Sequence, residues 1–438
     1  MRYPISTAGA IRKWAYWPGW KSTVWSSLAG LLLLADGAGA QEPTRAGQIE
    51  KQRAEKAAKL KPDEVSPAER RLRDFRDQHY MERFAAGIHG FRPKIGNMVT
   101  SGGFAIGPEY YRNGLANGLM NVRASAQIST RKYYRMDAAM NMPELAKGKL
   151  AFDAVAVHRY YPSIQYYGTG PDTPKEFRTN FLLEDTSVDG TLALRPWKNL
   201  VLGETSGYLW TNVGRGRDSR FASADSVFTP AQSPGIDVQT NYLRNGAFAQ
   251  WDYRDNPAGP KQGGNYVMQY TWYHDNRIGT YSFRRLDVDL QQYIGFFNKT
   301  RVIALRAKAR LSDTDRNEQI PFYMQPFLGG SDDLRGYRPF RFNDRNSMVL
   351  NAEYRWEIFS GLDGAIFADA GKVFPRRGML NFRDLESSVG FGLRFNARNR
   401  TAVRVDVGFS HEGFQVWFKF NDVFATRRFG TNAGQPLY

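Results

Sequence analysis

From about Gly102 to Phe424, apolar and polar residues alternate with a period of two, and no other feature of the chain restricts its fold as strongly. Leu350, Ala352, Tyr354, Trp356 and Ile358 share one face of a strand, and Asn351, Glu353, Arg355 and Glu357 share the other. Val403, Val405, Val407 and Phe409 likewise oppose Arg404, Asp406, Gly408 and Ser410, and Ile303, Leu305, Ala307, Ala309 and Leu311 oppose Ala304, Arg306, Lys308 and Arg310. A strand with this pattern rests one face on apolar material and the other on water. A soluble sandwich alternates too. Three features point instead to a membrane barrel: the segments are long and numerous, their polar faces carry full charges of both signs, and the connections between them alternate in length.

Read backwards from Phe424, short connections at His411–Gly413 and Asn396–Arg400 precede a longer loop at Phe374–Asp384. A turn at Ser360–Gly364 is followed by a very long loop over Asp313–Arg345, a turn at Phe297–Lys299, a short loop at Asp275–Gly279, a turn at Asn256–Gly263 and a long loop over Gly214–Gly235. A chain ending in the periplasm puts every long loop outside and every turn inside, the layout of outer-membrane barrels. About fifteen segments can be counted by eye. Because such barrels carry an even number of strands, the reading is an all-β, transmembrane antiparallel barrel of 16 strands over residues 98–424, with one further strand between Arg112 and Lys149.

Composition agrees. Mean hydropathy is −0.53, and no run of about 18 apolar residues is present, so spanning helices are excluded while spanning strands are not. The chain has no Cys, which excludes disulfides, a lipoprotein anchor, thiol catalysis and zinc–cysteine sites. The net charge of +17 suggests nucleic acid, but no binding motif accompanies it, and solvated faces account for it more simply; no nucleic-acid partner is expected.

Arg12, Lys13 and Lys21 precede an apolar stretch from Ser27 to Ala35, then Ala38-Gly39-Ala40. This is the order of a signal peptide over residues 1–40 with cleavage near Ala40. Residues 41–97 read as a charged periplasmic tether, partly helical or disordered, in which Lys51, Glu55 and Lys59 stand four apart. Residues 425–438 read as a C-terminal tail.

No catalytic chemistry is evident, and the protein is read as no enzyme, with no cofactor and no metal. His79, His89, His158, His274 and His411 form no tight ligand cluster. Ser410-His411-Glu412 echoes a nucleophile elbow only faintly, since it sits at a hairpin tip with no following helix.

The longest loop reads Phe327-Leu328-Gly329-Gly330-Ser331-Asp332-Asp333-Leu334-Arg335-Gly336-Tyr337. Leu334-Arg335-Gly336-Tyr337 resembles the hydrophobic-Arg-Gly-aromatic motif of the BamA/TamA-like outer-membrane assembly proteins, the bacterial surface antigen family. Phe367-Ala368-Asp369-Ala370-Gly371 is similar to that family's Phe-x-Asp-x-Gly strand, and Arg254-Asp255-Asn256-Pro257 to its Asp-Asn-Pro turn. Phe418 to Phe424 looks like its aromatic strand ending. The resemblance implies that the loop folds into the lumen and that carboxylates hold Arg335: Asp369 first, and Glu353 as a second partner. Gly336 would let the loop tip turn tightly. Phe367 and Gly371 complete the strand motif. The family's periplasmic POTRA domains are not expected here, because Gln41–Gly90 lacks a strand pattern.

The resemblance further implies a barrel at the bacterial outer membrane that inserts or translocates proteins through a lateral seam. The seam strands would lie near Gly102–Tyr111 and Gly413–Phe424, with Gly102, Gly103 and Gly107 weakening the first. The alternative is a solute or lipid channel on the same barrel. Expected partners are outer-membrane lipid, unfolded protein clients and a separate periplasmic accessory protein that docks on the tether.

Overall fold

The computed structural model describes residues 50–52, 55, 88–397, 400–420 and 422–424. The expected signal peptide, most of the expected tether and the expected tail after Phe424 lie outside the described residues; Glu50–Gln52 and Glu55 are helical. The strands are β1 (Phe91–Gly96), β2 (Ala105–Leu115), β3 (Met120–Ser129), β4 (Tyr134–Leu145), β5 (Leu150–Tyr166), β6 (Thr179–Trp197), β7 (Leu200–Arg215), β8 (Tyr242–Asp252) and β9 (Gly263–Asp275). They continue as β10 (Phe283–Phe296), β11 (Arg301–Asp313), β12 (Phe327–Leu328), β13 (Phe342–Asn343), β14 (Asn346–Phe359), β15 (Leu362–Phe374), β16 (Glu386–Ala397), β17 (Arg400–Ser410) and β18 (Gly413–Lys419).

All but β12 and β13 form one 16-stranded sheet in which each strand pairs with its neighbour in sequence. The pairing is antiparallel throughout, as the short connections require. The sheet is inside out relative to a soluble protein. Ile303, Leu305, Ile366, Val389, Phe391, Val416 and Phe418 are exposed, whereas Arg159, Arg285, Arg394 and Arg404 are fully buried. A surface that is apolar outside and charged within suits lipid outside and an enclosed lumen.

Two expectations need correction. The first strand of the sheet is β1, ahead of residue 98, and the segment expected to be the first strand, Gly102–Tyr111, mostly belongs to the second, β2. The span between Arg112 and Lys149, expected to hold one further strand, holds all of β3 and β4. β1 escapes notice because it has six residues and carries Pro93. A proline removes a ladder donor, which an edge strand tolerates. The second correction concerns the other end. β18 stops at Lys419, and Asp422, Val423 and Phe424 are buried, Phe424 packing with Tyr293, Val302 and Ala304 from β10 and β11.

Among the described residues no ladder joins β1 to β18. They are neighbours all the same: the Phe104 and Phe420 rings lie 5.7 Å apart, and a Cβ on Gly96 would stand 3.9 Å from that of Phe420. β1 is tied from the lumen side. Arg92 Nε donates to Glu109 Oε1 at 2.6 Å, and Lys94 Nζ donates to Ser125 Oγ at 2.8 Å and Asp137 Oδ1 at 3.2 Å.

Candidate functional site: an inward loop clamped to the barrel wall

The connection between β11 and β14 runs into the barrel. Its first half places Ile320, Phe322, Tyr323, Met324 and Phe327 in an apolar cluster with Tyr166, Phe181, Tyr242, Tyr273 and Phe283 of the strands. Its second half is gathered by the β12–β13 ladder, Phe327 opposite Asn343 and Leu328 opposite Phe342. Asp333 Oδ1 accepts from the backbone N–H of Gly329 at 3.0 Å and of Leu334 at 2.6 Å, which rigidifies the tip. Leu334 and Tyr337 are fully buried with Leu328, Phe342, Val349 and Val373.

Arg335, between them, is fully buried. Its Nε donates to Asp369 Oδ2 at 2.9 Å and its Nη2 to Asp369 Oδ1 at 2.7 Å, a bidentate fork. Its Nη1 donates to Glu353 Oε2 at 2.8 Å, and its own backbone N–H reaches Asp369 Oδ2 at 3.2 Å. The guanidinium carbon stands 3.3 Å from the centre of the Phe367 ring, adding a cation–π contact. Burial opposes the charge, but Asp369 and Glu353 outweigh it and raise the Arg335 pKa above its ordinary value. β14 and β15 deliver these carboxylates because Glu353, Phe367 and Asp369 occupy inward positions of the alternating pattern.

The clamp extends into a wider ionic network. Glu353 Oε1 accepts from Arg355 Nε and Arg394 Nη2, both at 2.9 Å. Arg394 also pairs with Asp406, which accepts from Arg404 at 2.7 Å, and Arg404 reaches Asp332 of the loop at 2.6 Å. Each charge is countered by several partners, which a buried ion pair requires to offset its desolvation. Arg394, Arg404 and Asp406 were not singled out from sequence. Their inward positions were legible for β17, but alternation says nothing of height in the lumen.

The glycines act by close approach. Gly336 has no positive φ, so its need is not the tight turn expected of it. A Cβ there would stand 2.6 Å from Ser388 Cβ and 2.7 Å from the Phe409 carbonyl. Gly408 faces it: a Cβ would stand 2.6 Å from the Arg335 carbonyl carbon. Gly371 leaves room for the Met348 carbonyl, and Gly390 for the Phe367 ring. The loop backbone thus lies directly on β16 and β17. It is bonded to β18 as well, through Trp417 Nε1, which donates to the Arg335 carbonyl at 2.7 Å. Ser410 Oγ donates to the Gly336 carbonyl at 2.9 Å. Tyr337 OH donates to Glu386 Oε2 at 2.6 Å and lies 3.1 Å from His411 Nδ1. Ser410, His411 and Glu412 therefore serve the loop, Glu412 through Arg341 at 2.7 Å. Among the described residues no group of side chains could hold a metal ion.

An arginine on an inward loop, forked onto the wall of a 16-stranded barrel, coincides with a family match: the Omp85 superfamily domain profile aligns with residues 205–422. The barrel is an Omp85 superfamily barrel. Two solved structures share its fold. One is BamA from Haemophilus ducreyi lacking POTRA domains 1–3, at 11% identity and a TM-score of 0.57, covering 76% of this chain and 69% of that one. The other is CdiB from Escherichia coli, at 12% identity and a TM-score of 0.51, covering 76% of this chain and 62% of that one. At such identities the likeness is one of fold alone, and the chain spans less than two thirds of CdiB. No curated protein matches the sequence. Within this Omp85 barrel the Asp-Asn-Pro turn is organised by Asp255. Its Oδ1 accepts from the backbone N–H of Asn256, Lys261 and Gln262, and Lys299 Nζ donates to its Oδ2 at 2.9 Å.

Proposed function

We propose that this Omp85 barrel inserts or translocates proteins at the bacterial outer membrane, after signal-peptide cleavage near Ala40, by opening a lateral seam between β1 and β18. The observation that carries the reading is the asymmetry of that seam. β18 is fastened to the lumenal loop through Trp417 and Arg335, and the loop is clamped to β14 and β15 through Glu353 and Asp369. β1 has a ladder on one edge only and is otherwise held by a few ion pairs. One side of the seam is a fixed post and the other a light leaf. Opening exposes unpaired backbone, which in lipid must find partners, and an incoming strand supplies them.

The alternative, a solute or lipid channel, would want a clear lumen. Against it stand the loop of 314–345 and the buried Asp422–Phe424 segment, which both occupy the interior. Outer-membrane lipid and unfolded protein clients are the partners this reading calls for. A separate periplasmic protein docking on Gln41–Gly90 would supply the client-handling role that POTRA domains fill elsewhere.

Depletion in the host tests the reading. The expected outcome is loss of several unrelated outer-membrane or secreted proteins. Unchanged levels, together with ion conductance by the purified protein in planar bilayers, would support the channel and overturn the proposal.

A further inference from the structure

β18 pairs Lys419 with Arg404 and Phe418 with Val405. Continued in this register, it would set Asp422 opposite Thr401 and Val423 opposite Arg400, both residues of β17. The chain abandons those rungs and turns into the lumen instead. There Asp422 is gripped by Arg355, Nη1 to Oδ2 at 2.9 Å and Nη2 to Oδ1 at 3.1 Å. Arg306 Nη1 donates to the Val423 carbonyl at 3.5 Å. The Phe424 ring is 1% exposed, with the guanidinium carbons of Arg355 and Arg306 at 5.6 and 6.0 Å from its centre and Tyr293 beside it. The Phe424 N–H donates back to Asp422 Oδ1 at 2.8 Å, folding the three residues into a compact turn.

Carboxylate, backbone and ring are each recognised by side chains of β10, β11 and β14. A carboxylate paired with an arginine and a buried aromatic are both strong anchors for a short peptide. The segment thus fills this pocket in place of the rungs that the β18 register would offer it on β17. Next to it, Val302 and Arg355 also line a cavity of about 190 Å³ that reaches the short-turn end of the barrel at Lys261, Lys299 and Arg400.

We infer that the pocket of Tyr293, Val302, Ala304, Arg306 and Arg355 is a peptide-binding site for a carboxylate–x–aromatic segment. The chain's own Asp422-Val423-Phe424 fills it as a tethered occupant, and strand ends of client proteins with the same pattern are its exchangeable ligand. The inference rests on the protein-handling reading above for the nature of that ligand. A tethered occupant has an effective concentration in the millimolar range, so a free peptide binds well only after the tethered one is removed.

The test uses the full chain in nanodiscs and a fluorescent peptide with the sequence of residues 413–424. The Phe424→Ala variant is expected to bind it about ten-fold or more tightly than the unaltered chain. Replacing the peptide's own aspartate by asparagine or its last phenylalanine by alanine should abolish that gain. Because the chain lacks Cys, a Val302→Cys substitution in the Phe424→Ala background should cross-link to a peptide bearing a thiol at the position of Val423, which locates binding in the lumen rather than at the seam. Should Phe424→Ala fail to fold, Asp422→Asn vacates the same pocket more gently. Equal affinity in vacated and unaltered chains, indifference to the peptide's carboxylate and ring, or absence of the lumenal cross-link would overturn the inference. Peptide binding without any effect of depletion on client proteins overturns the proposed function instead, and the reverse result overturns the pocket alone.

Discussion

Arg335 and Asp369 are joined by a two-pronged guanidinium–carboxylate fork, at 2.9 and 2.7 Å, with both side chains wholly inaccessible to solvent. Breaking it from either side strands a buried charge, at a cost of about 3–5 kcal/mol. Arg335→Asp and Asp369→Arg should each lower the urea midpoint of the folded barrel, and the double swap should recover part of the loss. Recovery should be incomplete, because Glu353 then faces a carboxylate at position 335. No recovery in the double swap would mean that the pair is not what holds the loop.

Gly336 is needed for contact, and the smallest side chain tests that. Gly336→Ala sets a methyl group against Ser388 and the Phe409 carbonyl. Overpacking of this kind costs about 1–3 kcal/mol. Limited proteolysis should then cut within residues 331–341, which the unaltered barrel protects. A protected loop in the variant would contradict this geometry.

Trp417→Phe keeps an aromatic ring near the loop and removes the part of the indole that carries the N–H donating to the Arg335 carbonyl. At least about 1 kcal/mol should be lost. Amide exchange is expected to quicken in β17, β18 and the loop tip while β5 to β10 stay unchanged. A uniform rise over the whole barrel would deny the tryptophan its role as a local fastening.

β1, the light leaf of the proposed seam, can be loosened separately. The Lys94 side chain is 23% exposed and bridges β1 to Ser125 and Asp137. Lys94→Ala should weaken β1 by about 1 kcal/mol after solvent screening, so β1 amides exchange several-fold faster. Asp137 keeps Arg123 at 3.1 Å, which should leave β3 and β4 intact. Unchanged exchange in β1 would show that its ladder to β2 suffices.

The barrel was legible because its determinant is local: alternation needs only neighbouring residues, and it survives in every strand from β14 to β18. The partners of Arg335 were legible through a resemblance that supplied what alternation lacks, namely which inward carboxylates share a height with the loop. Three things were hidden for physical reasons. β1 is too short, and its Pro93 too unlike a strand residue, to register. Arg394, Arg404 and Asp406 enter the network through cross-strand register along the barrel wall, Arg394 lying opposite Arg404, which no local pattern encodes. Phe418, Phe420 and Phe424 keep the outward spacing of β18, so the inward turn after Lys419 is marked only by Asp422, a charge at an outward position. It depends on Arg355, Arg306 and Tyr293, which are far away along the chain.

The proposed seam offers the most direct measurement. Gly96 is close to fully extended, at φ 159°, and a Cβ there would lie 3.9 Å from that of Phe420, within the span of a disulfide. In the cysteine-free chain, Gly96→Cys with Phe420→Cys should form one bond tying β1 to the end of β18. Client-protein assembly in cells carrying this variant should fail when the bond is oxidised and return on reduction, with either single variant unaffected. Full client assembly with the seam quantitatively locked would contradict the account.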